Sequence, residues 1–287
     1  MDAIAELHAA GFDRVIVLDG AECGYPDVGS ILLALWPYEA EQEPAENEAW
    51  IHPYYYASQK AYRAADDLAK AHAEEGLVWR EDIRLKPLFA RLCGFSQGRN
   101  TLSYTQEYGS RFHVQILTLT PGIPATDHLE EENHPLHCGE CRRCEAACPT
   151  NALEGGVFHR ERCLRNWQVS GQIYPEDVRE KMGNRLIGCD VCQRCCPHNA
   201  APAGETMTPF PLVDILRSPK ASAIAMRDRI GATITMFNRV LGGACIVAGC
   251  SGREDLLPEL ERLTEHPSEA VRTHAVWAVN EIRKKHM

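Results

Sequence analysis

Two short blocks of cysteine carry the most specific chemistry in the 287-residue chain. The first is His137-Cys-Gly-Glu-Cys-Arg-Arg-Cys-Glu-Ala-Ala-Cys-Pro149, which sets Cys138, Cys141, Cys144 and Cys148 in the spacing C-x₂-C-x₂-C-x₃-C-P. The second is Gly188-Cys-Asp-Val-Cys-Gln-Arg-Cys-Cys-Pro197, with Cys189, Cys192, Cys195 and Cys196. Three thiolates two residues apart wrap one face of an iron–sulfur cubane, while the cysteine before proline turns away and ligates a second cluster. The crossed logic assigns Cys138, Cys141, Cys144 and Cys196 to cluster 1. Cluster 2 takes Cys148, Cys189 and Cys192, and Cys163 and Cys195 compete for its last position. The three-residue spacer is intact from Cys192 to Cys196, which leaves Cys195 as an extra residue and favours Cys163. Zinc also uses paired C-x₂-C units, but zinc sites rarely need so many thiolates with two C-P endings. The spacing therefore predicts two 4Fe–4S clusters.

The remaining cysteines are plainer. Cys23, Cys93, Cys245 and Cys250 lie among apolar or glycine-rich neighbours and read as buried structural thiols. Cys195 is either a reactive thiol or a spectator. His137 and His198 border the two blocks, where a hydrogen bond to cluster sulfur would tune potential, though solvated or core histidine is the plainer reading of each. There is no H-E-x-x-H, no G-x-S-x-G, no P-loop, and no G-x-G-x-x-G after a strand.

Composition is that of an ordinary globular chain, 45% hydrophobic and 24% charged, with a formal net charge of −10. No apolar run approaches the roughly 18 residues that span a bilayer, and the first residues are acidic where a secretory signal is basic. A cytoplasmic protein without membrane contact is expected, and thirteen cysteines in that setting point to metal or redox chemistry rather than disulfides. The charge is uneven: residues 1–125 carry −8, 126–200 carry −3 and 201–287 carry +1. A polyanion would meet least repulsion at the C-terminal third.

The elements that must position these residues suggest an α+β protein of three parts. Residues 1–125 read as an α/β domain. It has a helix over Asp2 to Phe12, apolar strands at Arg14 to Asp19 and Ser30 to Trp36, and an acidic loop from Glu39 to Glu48. A long helix follows from Tyr54 to Glu75, closed by Gly76, then a shorter one from Leu85 to Cys93. Thr101 to Thr105 and Arg111 to Leu119 read as the arms of a hairpin. Residues 126–205 form the cluster domain, of ferredoxin-like double-cluster type, after a proline-punctuated connection from Pro121 to Pro135. Residues 206–287 are helical throughout, and the pair Leu257–Leu263 and Val271–Val279 resembles one unit of a HEAT-type repeat.

With these motifs in view, the chain resembles the epoxyqueuosine reductase family, cobalamin and iron–sulfur enzymes that complete queuosine in transfer RNA. The resemblance is carried by the first cysteine run, Cys148-Pro-Thr-Asn-Ala-Leu153, Arg162-Cys-Leu164 and Gly183-Asn-Arg-Leu-Ile-Gly-Cys-Asp-Val-Cys192. It extends to Lys86-Pro-Leu, Gly98-Arg-Asn-Thr101 and Tyr108-Gly-Ser110, and to the C-terminal helices. It implies Cys163 as the eighth ligand, a corrinoid in the N-terminal domain, and an acid just before Lys86-Pro-Leu as proton donor. Asp82, or failing it Glu81, occupies that place. A carboxylic acid that donates near neutral pH needs a raised pKa, from burial or a like-charged neighbour.

The chain also departs from the family. It reads Val78-Trp-Arg-Glu-Asp-Ile-Arg84 where an Asp-Ser/Thr-small-Pro setting is usual, and Gln59-Lys-Ala-Tyr62 where Gly-Arg-Asp-Tyr is usual. Phe95-Ser96 stands in place of Gly-Trp, and His198 in place of a tryptophan. Two functions follow from the sequence. The first is an iron–sulfur reductase that passes electrons from a donor such as a ferredoxin or flavodoxin, through two clusters, to a corrinoid that reduces a substrate. The second is a ferredoxin-like electron-transfer protein without corrinoid that docks a redox partner. A third, plainer reading is an assembly protein whose clusters are structural. The acidic N-terminal domain disfavours a tRNA partner there and leaves the C-terminal third to meet it.

Overall fold

The computed structural model describes residues 2–40, 49–92, 94–129, 138–199 and 210–287. Cys93, His137 and most of the two acidic stretches, at 41–48 and 130–137, lie outside the described residues. The chain divides into two compact units: Met1–Glu39, Tyr56–Arg142 and Cys196–Ala201 make one, and Ala40–Tyr55, Arg143–Cys195 and Pro202–Met287 the other.

The first unit is built on a four-stranded sheet in the order Arg14–Asp19, Ser30–Pro37, Phe112–Leu119, Leu77–Trp79. All three pairings are antiparallel, with Ile16 opposite Leu33, Leu33 opposite Ile116, and Val78 opposite Thr118. The apolar runs are continuous because both faces are covered. Successive side chains point to opposite faces. Val17, Leu32, Ala34 and Leu117 therefore join Leu7, Phe12, Ala61 and Ala65 on one side. Ile16, Leu18, Ile31, Leu33 and Ile116 join Phe89, Leu92 and Phe95 on the other. Each large aliphatic side chain so enclosed contributes roughly 1.5–3 kcal/mol. Ala61 and Ala65, both fully buried, sit four residues apart on the long helix Pro53–Ala71 and bring its backbone close to the sheet. That helix ends in a 3-10 turn, Ala73–Glu75, and Gly76 at φ 85°. A Cβ there would lie 1.9 Å from the Thr120 carbonyl oxygen, so glycine is required.

Two expectations change in this unit. Thr101 to Thr105 and Arg111 to Leu119 do not pair as a hairpin. Ser103–Thr105 pairs instead with Phe95–Gln97, and Phe112–Leu119 enters the middle of the main sheet. Strong apolar alternation in Phe112–Leu119 pulls it into the core, and Gly98 supplies the tight turn for the smaller ribbon. The helix expected over Leu85 to Cys93 is only Leu85–Phe89.

The second unit opens with the short strand Trp50–Ile51, which pairs in parallel with Arg185–Ile187. Around it lie the short helices Arg143–Ala147, Leu164–Ser170, Glu176–Glu180 and Val191–Arg194, and the hairpin Leu153–Glu154 with Val157–Phe158. Among the described residues five α-helices follow: Leu212–Arg217, Pro219–Ile230, Phe237–Ser251, Leu257–Leu263 and Glu269–Lys285. Phe237–Ser251 is apolar on all sides and buried from Val240 to Gly249, which makes it the central helix. Its glycines admit close neighbours: a Cβ on Gly249 would meet Trp277 at 2.7 Å and Ala278 at 2.8 Å, both on Glu269–Lys285. Among the described residues no helix is long and apolar enough to cross a membrane.

Candidate metal centres

In the second unit the backbone delivers four separated cysteines to one neighbourhood. Cys148 follows the helix Arg143–Ala147, its N–H donating to the Glu145 carbonyl at 3.3 Å. The turn through Asn151, at φ 50°, lets the Ala152 N–H donate to the Cys148 sulfur at 3.2 Å. Cys163 caps the helix Leu164–Ser170 in extended conformation, its carbonyl accepting from Asn166 N–H at 2.9 Å. Gly188, at φ 89°, turns the chain from Arg185–Ile187 into Cys189, and Cys192 lies on the helix Val191–Arg194. Burial comes first in holding the Cys192 thiol well above its ordinary pKa, followed by the adjoining sulfurs of Cys189, Cys163, Cys195 and Cys148. Burial also pushes Cys189 up to about 11. Crowded, desolvated thiolates of this kind are stable only around a cation, and metal binding is what removes their protons.

Among the described residues no disulfide joins any of these five cysteines. Cys195 sits beside the group, its thiol directed to the Cys192 carbonyl oxygen at 3.7 Å. Among the described residues no three His, Cys, Asp or Glu side chains converge on one ion. Zinc would need its donors within about 2.0–2.3 Å of a single point, whereas a cubane meets its thiolates at four separate corners. A cavity of about 480 Å³ opens in the same unit, walled by Trp50, Asp190, Arg194, Trp277 and Lys285 among others. Arg194 pairs with Asp190 and lies over the Trp50 ring at 5.8 Å.

In the first unit Cys138 and Cys141 share a tight turn through Gly139 at φ 50°, with Cys141 N–H donating to the Cys138 carbonyl at 2.8 Å. The Cys138 sulfur accepts from the Arg99 backbone N–H at 3.3 Å, and the Cys196 sulfur accepts from the Tyr104 hydroxyl at 3.3 Å. Burial, then the bond to Cys196, raises the Tyr104 pKa. His198 meets the Tyr104 ring edge-on, centroids 6.2 Å apart. The segment after Cys196 is pinned by Asn199, whose side-chain oxygen accepts from Ser110 N–H at 2.8 Å. Cys144, on the helix Arg143–Ala147, belongs to the second unit. Spacing in the cysteine blocks gave no hint of Tyr104 or Arg99. The one signal near them was Gly98-Arg-Asn-Thr101, noted only through resemblance.

The acids stand differently. Asp82 is forked by Arg80, Nε to Oδ1 at 2.7 Å and Nη2 to Oδ2 at 2.6 Å. That bond lowers its carboxyl pKa to about 2, and the side chain is exposed. Glu81 is exposed beside it. In this arrangement Asp82 is a carboxylate, whereas a proton donor near neutral pH must be protonated.

Residues 137–199 match the 4Fe-4S double cluster binding domain family. Epoxyqueuosine reductase of Lactococcus garvieae is 28% identical over 280 residues, covering 88% of this chain and 77% of that one. The Bacillus subtilis enzyme is 30% identical over 200 residues, 66% of this chain and half of the relative. In structure, epoxyqueuosine reductase from Streptococcus thermophilus superposes with a TM-score of 0.73 at 22% identity, covering 99% of this chain and 91% of the other. The chain is similar to the epoxyqueuosine reductases over most of its length. It is an iron–sulfur oxidoreductase with two 4Fe–4S clusters. A further family structure, bound to an epoxyqueuosine-modified tRNA-Tyr stem loop, superposes with a TM-score of 0.72 at 21% identity over 97% of this chain and 88% of the other.

Proposed function

We propose that this chain reduces an epoxyqueuosine-type nucleoside in transfer RNA, with electrons passing from an external donor of the ferredoxin or flavodoxin class through the two clusters to a bound corrinoid. One observation carries the reading: the double-cluster block lies within an alignment to an epoxyqueuosine reductase that spans 88% of the chain. Cys138, Cys141, Cys144 and Cys196 hold cluster 1, and Cys148, Cys163, Cys189 and Cys192 hold cluster 2. The tRNA meets the C-terminal helices, of HEAT-like pattern, where residues 201–287 carry a net charge of +1. A relative is known bound to a tRNA stem loop, which supports the same class of substrate here.

The support for a corrinoid comes from the first unit. There Trp79 Nε1 donates to Gln115 Oε1 at 2.7 Å, Gln115 Nε2 donates to His113 Nε2 at 3.0 Å, and Tyr62 packs on Trp79 with ring centroids 5.1 Å apart. Burial lowers His113 to about 4, so the string is uncharged at neutral pH. Neutral donors and acceptors among aromatic rings suit the amide-bearing rim of a corrinoid. When bound, that group supplies the low-valent metal chemistry, and the chain orients it and moves protons. Asp82 delivers the proton once its loop parts it from Arg80. A Bacillus subtilis relative is described with its catalytic aspartate loop swung out of the active site, which supports a mobile acid in this role.

The Arg80–Asp82 fork and the altered motif around it favour one second reading, electron transfer to a partner without a corrinoid. Reconstituted protein, cobalamin, a chemical reductant and epoxyqueuosine-containing tRNA separate the two. Conversion of the epoxide, read by mass spectrometry of the digested nucleosides, is the expected result. Two intact clusters with neither cobalamin binding nor conversion would establish the second reading.

A further inference from the structure

The segment Gly98-Arg-Asn-Thr101 stands outside both cysteine blocks, yet its turn serves cysteines from each. It links Phe95–Gln97 to Ser103–Thr105 and is closed by Gly98 N–H to Leu102 carbonyl and Thr101 N–H to Gly98 carbonyl, both at 2.9 Å, with Thr101 at φ 65°. From this ribbon the Arg99 N–H reaches the Cys138 sulfur and the Tyr104 hydroxyl reaches the Cys196 sulfur, each at 3.3 Å. The hydroxyl is aimed rather than free to rotate. Asn100 Nδ2 donates to the Tyr104 oxygen at 2.7 Å and Ser110 is a second hydrogen-bonding neighbour of that oxygen, so its acceptor positions are met by these side chains while the phenolic proton reaches sulfur. Tyr104 and Asn100 are 2% and 5% exposed, so the bond between them is shielded from solvent, while the two bonds to sulfur are part-buried. Gly98 makes room for them: a Cβ there would lie 2.6 Å from Tyr104 Cε2 and 2.7 Å from Asn100 Oδ1.

We propose that this ribbon is the hydrogen-bonding cap that sets the reduction potential of cluster 1, with Tyr104 as its positioning residue. The inference rests on the reading that Cys138 and Cys196 both ligate that cluster. Adding an electron raises the negative charge on the cluster and its thiolates. Donors aimed at those sulfurs stabilise the reduced state more than the oxidised one and move the potential upward. Charge-assisted bonds of this type are the stronger class, and burial strengthens them further. No atom is transferred: the phenol keeps its proton, and one electron enters or leaves the cluster.

The test is redox titration of the reconstituted protein, monitored by electron paramagnetic resonance, after iron analysis. Wild type with about eight irons, four for each cluster, supports the two-cluster reading, and protein without iron overturns that reading before the cap is examined. In Tyr104→Phe one midpoint potential moves downward while the other stays in place, and a deuteron coupling seen by pulsed resonance in heavy water disappears. Installing 2,3-difluorotyrosine at position 104 keeps the shape but makes a more acidic, stronger donor, and the same midpoint moves upward. If Tyr104→Phe loses iron, the fluorinated protein decides alone. Unchanged midpoints in a variant that retains its iron overturn the proposal.

Discussion

Replacing Gly188 by alanine tests whether the second unit positions its cysteines through one tight turn. Gly188 sits at φ 89°, where a side chain is strained by roughly 1–2 kcal/mol. The added Cβ would also lie 2.4 Å from His52 Cβ and 2.9 Å from Tyr55 Cε2, far inside ordinary contact. Neither neighbour has a flexible end to yield. His52 is held by Gln193 at 2.8 Å, and both His52 and Tyr55 are buried. Overpacking of this kind costs about 1–3 kcal/mol. The turn itself is fastened to Gln168, which accepts from Gly188 N–H at 2.7 Å and donates to its carbonyl at 3.2 Å. The combined destabilisation is about 2–5 kcal/mol, out of the roughly 5–15 kcal/mol that holds a typical native state. A thermal melt followed by circular dichroism should show Tm lowered by about 3–8 °C. Because Cys189 is the next residue, iron content should fall toward half as cluster 2 is lost. A variant with unaltered Tm and full iron would refute the packing argument.

Three further outcomes are expected. Cys163→Ser should lower iron from about eight to about four per chain, whereas Cys195→Ser should keep both clusters; the reverse pattern would transfer the ligand role to Cys195. Burial lowers His113 and His274 to about 4, so both stay neutral in the fold while the unfolded chain takes up their protons below about 6.5. Stability should therefore fall as pH drops from about 6.5 toward 4, by about 2 kcal/mol per histidine at pH 5. Urea midpoints should fall less steeply with pH in a His113→Gln, His274→Gln double variant than in wild type, and identical slopes would count against it. Asp82→Asn should reduce turnover by roughly 10²–10⁴-fold if the acid delivers a proton, with cobalamin binding intact; unaltered turnover would discard Asp82.

The strands at Arg14 and Ser30 were legible as short apolar runs, the long helix by its composition and closing glycine, and the C-terminal third as helical, although its central helix Phe237–Ser251, apolar on all sides, gave no periodic signal for its bounds. Those signals are local, and the core repeats them on every element. Pairing partners were harder to read. Phe112–Leu119 carries the alternation of a central strand, but nothing near it names Ser30–Pro37 as its neighbour across a separation of some 80 residues. Two-residue strands such as Trp50–Ile51 lie below any periodicity threshold, and Pro149 and Gly188 mark turns without saying which distant segment they approach. Cysteine spacing held most of the metal chemistry, since the cubane dictates the intervals. The hydrogen bonds from Arg99 and Tyr104 come from a separate ribbon, and one of them uses a backbone N–H that any residue but proline offers. The state of Asp82 was equally hidden, because an arginine two residues earlier is common and its bidentate grip depends on the bend of the loop.

Neither compact unit is continuous in the chain. The second borrows Ala40–Tyr55 from the early part of the chain, and the first reclaims Cys196–Ala201 from the late part. During synthesis, Trp50–Ile51 leaves the ribosome long before its partner strand Arg185–Ile187, and Cys138 and Cys141 emerge well ahead of Cys196. At about 5–20 residues per second the interval from Arg142 to Cys196 lasts roughly 3–11 s. Through that time the earliest thiols are translated but unshielded, open to oxidation or to the wrong metal. On the proposed assignment of Cys138, Cys141 and Cys196 to one cluster, loading is a late, nearly post-translational event, and the yield of active protein in a cell should depend on anaerobic growth and on iron–sulfur assembly capacity more than on the rate of translation.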